Sequence, residues 1–199
     1  MNSEEEARHH ARMQRKKAVI DAAIARADRD KGLLVVLTGN GKGKSSSAFG
    51  MVARALGHQM RVAVAQFIKG RGDTGEEAFF QRHGVIWHRL GEGFTWETQN
   101  RERDCETAQQ GWEVVRELLR DPAVELLVLD ELTYPINYGW LDLDRVLADL
   151  AARPPRQHVI ITGRGAPAAL CEAADTVTEM NDLKHAFRDG VRAQRGIDL

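Results

Sequence analysis

The chain has 199 residues, a formal net charge of -1, 43% hydrophobic residues and 29% charged ones. That is enough for one full-sized domain with an appended arm, and the balanced charge argues against a main role in coating nucleic acid or an acidic membrane. Two isolated cysteines, Cys105 and Cys171, without C-x-x-C spacing, argue for a reducing compartment and against a disulfide framework or a cysteine metal site. The polar start MNSEEEARHH holds no apolar signal core, and no apolar run approaches the ~20 residues that cross a bilayer. The expected location is the cytoplasm, with neither membrane nor nucleic acid as partner.

Residues 3–31 run from acids to bases without Gly or Pro, with Val19, Ile20 and Ile24 at helical spacing. Ser3 followed by Glu6 fits a capping box. This predicts an N-terminal helical arm over residues 1–31, either a solvated helix or an arm that folds over a ligand or a partner subunit. From residue 33 apolar runs alternate with helical stretches. Strands are expected over 33–37, 61–68, 85–90, 126–129, 158–162 and 176–178. Helices are expected over 44–56, 76–82, 100–120, 143–152 and 167–174. The alternation predicts a single α/β domain over residues 32–199, with a mainly parallel sheet of about six strands flanked by helices.

Between the first strand and the first helix of that domain lies T-G-N-G-K-G-K-S, residues 38–45. A strict G-x-x-x-x-G-K-[ST] pattern needs glycine where Thr38 stands. The surroundings are nevertheless those of a phosphate loop. Gly39, Gly41 and Gly43 let backbone N–H groups turn inward, and the helix start adds its positive dipole end. Lys44 would bring an ammonium to phosphate oxygens, and Ser45 a hydroxyl to Mg²⁺. The second half of such a site is an apolar strand ending in acid, supplied by E-L-L-V-L-D-E, residues 125–131. Asp130 would hold Mg²⁺ directly or through its water. Glu131 could join the metal shell or act as a base. Together these predict a P-loop NTPase-like (RecA-like) nucleoside triphosphate site. No N-K-x-D stretch for guanine occurs, which favours ATP.

Three further stretches narrow the choice: Q-F-I-K-G (66–70), G-E-G-F-T-W (91–96), and T-G-R (162–164) with T-E-M (178–180) and Lys184-His185. With T-G-N-G-K-G-K-S and L-D-E-L, the chain resembles the P-loop type of ATP:corrinoid adenosyltransferase, the cob(I)yrinic acid a,c-diamide or cob(I)alamin enzymes, from about residue 33 to 199. Thr38 belongs to that family's own pattern. Ser45 and Ser46 stand where threonines are frequent there, and serine keeps the hydroxyl.

The resemblance implies transfer of the 5′-deoxyadenosyl group of ATP to the Co(I) centre of a corrinoid with release of triphosphate, in adenosylcobalamin biosynthesis or salvage. It implies Mg²⁺, a reduced flavin or flavoprotein as electron donor, and a homodimer. Lys44 and Glu131 become the catalytic candidates; Gly39, Asn40, Gly41, Lys42, Gly43, Lys44, Ser45, Ser46 and Arg164 the ATP contacts; Ser45, Asp130 and Glu131 the metal ligands. By spacing alone, Phe94 and Trp96 could fold back on the core. In the family, aromatics of this loop cover the lower face of the corrinoid and leave cobalt four-coordinate, which eases its reduction. Arg164 follows a strand's carboxyl end, where a ligand crevice opens, and is either a phosphate contact or a structural ion pair. Glu179, Lys184 and His185 are substrate contacts or a surface turn; Trp87 and Trp112 belong to the core. Two other readings stand beside the transferase: an ATP hydrolase or small-molecule kinase, and a non-enzymatic ATP-dependent partner protein docking through its arm.

Overall fold

The computed structural model describes residues 3–68, 74–91 and 101–197. The chain divides into two compact units, Met1–Lys31 and Gly32–Leu199.

The first unit is one helix, α1 (Ser3–Arg26). Its few apolar residues are exposed, Val19 at 69%, Ile20 at 46% and Ile24 at 65%, so within this unit nothing buries them. Lys17 pairs with Asp21 one turn on at 2.6 Å, a solvated pair worth about 0.3–0.5 kcal/mol. The expected Ser3 cap lies outside the described side chains.

The second unit contains strands β1 (Leu34–Thr38), β2 (Val62–Gln66), β3 (Ile86–Arg89), β4 (Leu126–Asp130), β5 (His158–Thr162) and β6 (Thr176–Glu179). Its helices are α2 (Lys44–Gly57), α3 (Gly75–Arg82), α4 (Arg101–Arg120), α5 (Thr133–Asn137), α6 (Leu143–Ala151) and α7 (Ala168–Ala173), followed by a 3₁₀ turn at Ala186–Asp189. The six strands form one sheet in the order β3-β2-β4-β5-β1-β6, with every adjacent pair parallel. This is the parallel α/β sheet of six strands flanked by helices expected from the sequence.

Strand composition explains why both faces are covered. A parallel sheet needs crossover helices, and these bury both faces, so its strands read as continuous apolar runs. Val36, Ala63, Ala65, Leu127, Leu129, Val159 and Ile161 point to one side, where α4 (Trp112, Val115, Leu119), α6 (Val146, Leu150) and α7 (Leu170) pack. Leu37, Val62, Val64, Leu126, Val128 and Ile160 point to the other, against α2 (Ala48, Phe49, Val52) and Phe80 of α3. Phe49, Phe80 and Trp87 pack pairwise there at centroid distances of 5.6–6.4 Å, Phe80 and Trp87 stacked and the other two pairs tilted, each pair adding about 0.5–1.5 kcal/mol beyond area burial. Across the first face, Trp112 Nε1 donates to Asp149 Oδ2 at 2.9 Å and ties α4 to α6. Asp142 caps α6 by accepting from Arg145 N at 2.8 Å, worth about 1 kcal/mol.

In this second unit the expected strands and helices are all present, with ends shifted by one or two residues, whereas the helix of the arm, expected over 1–31, ends at Arg26. Strand β2 stops at Gln66 rather than at 68, because its neighbour β4 ends at Asp130, the register partner of Gln66. Phe67 and Ile68 stay buried beyond the ladder. Helix α5 and the 3₁₀ turn carry no sequence expectation; four or five residues are too few for a helical period to show.

Candidate functional site

The loop that opens α2 bends through the left-handed region at Gly39 (φ 94°) and Gly43 (φ 108°), where residues with a Cβ are strained. Gly43 is also the N-cap of α2, which starts with no side-chain cap and no acid in its first turn. Its positive end is therefore left for an external anion. On the β6 side the loop packs against main chain. Gly41 N donates to Met180 O at 2.6 Å, and a Cβ at Gly41 would lie 2.7 Å from Asn181 O.

Thr38, the residue in place of the missing glycine, ends β1, and its hydroxyl accepts from Ala166 N at 3.1 Å. It thus anchors the segment after β5. Thr133 Oγ1 and Asn137 Nδ2, from α5, donate to the carbonyl of Arg164 at 2.8 and 3.2 Å and hold the same segment from the other side.

Lys44 is 8% exposed, and its ammonium donates to Gly41 O at 2.6 Å. Burial, then the positive Arg164, lowers its pKa from the ordinary lysine value, while Glu131 and Asp130 pull it upward. Those influences put Lys44, Arg164 and both acids in one electrostatic neighbourhood, at the carboxyl ends of β1, β4 and β5. Asp130 is fully buried; Gln66 Nε2 donates to its Oδ2 at 2.9 Å and Thr162 Oγ1 to its Oδ1 at 2.7 Å. Glu131 is one of two non-glycine residues with positive φ (62°) among the described residues, a conformation that costs about 1–3 kcal/mol. Its N–H donates to Thr162 Oγ1 at 3.0 Å, which offsets part of that strain. Tyr134 stands nearby; burial first and the charge of Glu131 second raise its phenol pKa.

The sequence-predicted residues therefore separate into groups. Gly39, Gly41, Gly43, Lys44, Ser45, Asp130, Glu131 and Arg164 gather around the loop end of the sheet. Asn40, Lys42 and Ser46 lie in the same loop and first helical turn with exposed side chains. Phe94 and Trp96 fall outside the described residues. Glu179 is exposed on edge strand β6. Lys184 and His185 line, with Lys42, Leu183, Phe187 and Arg192, an open cavity of about 640 Å³ beside the loop. His185 also caps the 3₁₀ turn through Phe187 N at 3.1 Å. Trp112 is core, as expected, but Trp87 is half-buried and donates to Gln66 Oε1 at 3.2 Å.

Gln66, Thr162, Thr133 and Asn137 have no role in the sequence reading. A signal existed for the first two: each is the polar last residue of an otherwise apolar strand, VAVAQ and HVIIT after its first residue.

Comparison with known proteins gives the same direction. The family model described as "ATP:corrinoid adenosyltransferase BtuR/CobO/CobP" matches residues 30–199, and "Cob(I)alamin adenosyltransferase N terminal" matches residues 1–24. A corrinoid adenosyltransferase of Pseudomonas aeruginosa is 60% identical, with 98% of each chain covered. The corrinoid adenosyltransferase CobA of Salmonella typhimurium is 48% identical, over 96% of this chain and 97% of that one. One from Escherichia coli is 46% identical over the same shares. With a phosphate loop that keeps Thr38 in place of glycine and matches along nearly its whole length, the chain belongs to the BtuR/CobO/CobP family of ATP:corrinoid adenosyltransferases.

Proposed function

We propose that this protein transfers the 5′-deoxyadenosyl group of ATP to the cobalt of a reduced corrinoid and releases triphosphate. The observation that carries this reading is the family match over residues 30–199 in a chain whose phosphate loop, buried Lys44 and strand-end acids form one site. In the reaction the Co(I) electron pair forms the bond to the ribose 5′ carbon. The 5′ C–O bond breaks, its electrons leave on the triphosphate, and cobalt becomes formally Co(III). The loop's work is then to hold a leaving group. Lys44, the loop N–H groups other than that of Gly41, which donates to Met180 O, and the start of α2 oppose the negative charge that grows on the departing oxygen, a contribution largest where water is excluded.

Mg²⁺ fits the donor set. Ser45, Asp130 and Glu131 offer hard oxygen ligands, and among the described residues there is no cluster of three or more His, Cys, Asp or Glu. Such a set suits an ion that shares its ligands with phosphate and water rather than one held in an all-protein cage. Bound there, Mg²⁺ would supply further positive charge against the triphosphate. Arg164, close enough to Lys44 to lower its pKa, is the second cation for the same anion. Glu131 serves here as a metal-side acid, since attack at carbon requires no base to activate water.

Phe94 and Trp96 would form the apolar lower wall of the corrinoid site, and a reduced flavin or flavoprotein would supply electrons. The arm, residues 1–31, would cover the corrinoid in a cytoplasmic homodimer. Phosphorus NMR of a reaction with ATP, Mg²⁺ and reduced corrinoid, followed alongside the corrinoid spectrum, tests the reaction. Triphosphate should appear in step with the adenosyl–cobalt spectrum. Phe94→Ala and Trp96→Ala should slow the reaction started from Co(II) far more than that from prepared Co(I). ADP and phosphate without a corrinoid change would instead make this an ATP hydrolase or kinase.

A further inference from the structure

Strand β2 reads VAVAQ: four apolar residues and then a glutamine that is 1% exposed. An amide in such a place costs free energy unless both its ends are satisfied, and a leucine of similar size would fit the same apolar setting. Both ends are satisfied here, and in one orientation only. The Trp87 indole N–H can only donate, so Gln66 must present its carbonyl to it, at 3.2 Å. That turns the amide NH₂ onto Asp130 Oδ2 at 2.9 Å.

The same logic fixes Thr162, which is fully buried. The Glu131 N–H can only donate, so the threonine hydroxyl accepts from it at 3.0 Å, and its single proton goes to Asp130 Oδ1 at 2.7 Å. Two donors, from the strands on either side of β4, thus point at the two oxygens of one carboxylate. One of them also braces the left-handed backbone of the next residue, Glu131.

We propose that Gln66 and Thr162 are positioning residues that aim the acids Asp130 and Glu131 at the loop, and that Trp87 in turn orients Gln66. The proposal rests on the reading of these acids as the Mg²⁺ side of the site. A carboxylate with one free torsion at χ2 presents different lone pairs as it rotates. Pinning each oxygen with a separate donor leaves the remaining lone pairs in one arrangement. Outer partners of this kind tune metal affinity without touching the ion. Trp87 sits on β3, the strand whose next residues lead into the segment 92–100, so the chain of donors runs from the sheet edge to the site.

The test uses the full chain and measures ATP binding by equilibrium dialysis, first in EDTA and then across a Mg²⁺ series. For Gln66→Leu and Thr162→Val, the Mg²⁺ concentration giving half of the metal-dependent gain should rise ~10–100-fold. ATP affinity in EDTA should stay at the wild-type value. Thr162→Ser, which keeps the hydroxyl, should restore the wild-type Mg²⁺ response. Trp87→Phe, which removes only the N–H, should shift it by roughly 2–10-fold. Equal weakening with and without Mg²⁺, or a normal Mg²⁺ response in the valine and leucine variants, overturns the proposal. If Gln66→Leu does not fold, the Thr162 pair and Trp87→Phe decide the matter. A wild-type protein whose ATP binding ignores Mg²⁺ removes the metal reading itself, and the proposal with it.

Discussion

On the inner side of the phosphate loop, towards β5 and β4, the structure is made of side chains. Thr162 and Gln66 are buried and each donates to the buried Asp130, and Lys44 feels the charges of Asp130, Glu131 and Arg164. On the outer side, towards β6, it is made of main chain: Gly41 meets the carbonyls of Met180 and Asn181, while all four residues of β6 are exposed. The inner wall carries chemistry and resists substitution because each partner would be left unsatisfied in a dry place. The outer wall carries shape and resists substitution because there is no room for a Cβ.

Lys44→Met tests the inner wall and should have the largest effect. Turnover should fall roughly 10²–10³-fold, as when one preorganised donor to a developing anion is lost. Stability should move the other way. Because burial and Arg164 lower the folded-state pKa of Lys44, the unfolded chain binds more protons between that lowered value and the ordinary 10.5, so this group makes stability rise with pH across that window. Below the window its penalty is fully present. Urea unfolding of the ligand-free protein should therefore show Lys44→Met more stable than wild type at neutral pH, and without this component of the rise. A less stable variant would mean that the ammonium is part of the scaffold rather than reserved for the ligand.

Gly41→Ala tests the outer wall. The added carbon would meet backbone oxygens at 2.7 and 2.8 Å, which have no flexible end to move aside. A loss of about 1–3 kcal/mol is expected, together with weaker ATP binding, read by thermal melting and ATP titration. A variant that melts and binds like wild type would make the outer wall an incidental contact.

Thr38→Val tests the junction of the two walls and should have the smallest effect. It removes the acceptor for Ala166 N and should lower stability by about 0.5–1.5 kcal/mol, with Thr38→Ser near wild type. Equal melting of all three proteins would leave the hydroxyl without a structural part.

The same division decides what could be read from the sequence. The inner wall was legible where chemistry needs a residue type at a strand end: Lys44, Ser45, Asp130 and Glu131 follow from the loop and the acidic strand. Even there, Gln66 and Thr162 went without roles, because a buried amide or hydroxyl declares its partner only once the strand order sets β4 between β2 and β5. The outer wall was hardly legible. Nothing in the residue types of Met180 and Asn181 says that their carbonyls will face Gly41; that follows from β6 pairing with β1. Within residues 32–199 the expected helices and strands were legible to within a residue or two because burial on both faces of the sheet writes long apolar runs. The five-residue α5, whose Thr133 and Asn137 hold the Arg164 carbonyl, left no period to detect.

The bond from Gly41 to Met180 also bears on the order of events during synthesis. The phosphate loop is made well before the main chain that shapes its outer side, which belongs to the two residues following β6, Met180 and Asn181. Closing so long a separation is slow compared with local helix formation. A nascent chain stalled before β6 would carry the whole loop sequence without its outer support, so nucleotide capture should begin only once β6 and the two residues after it have been made.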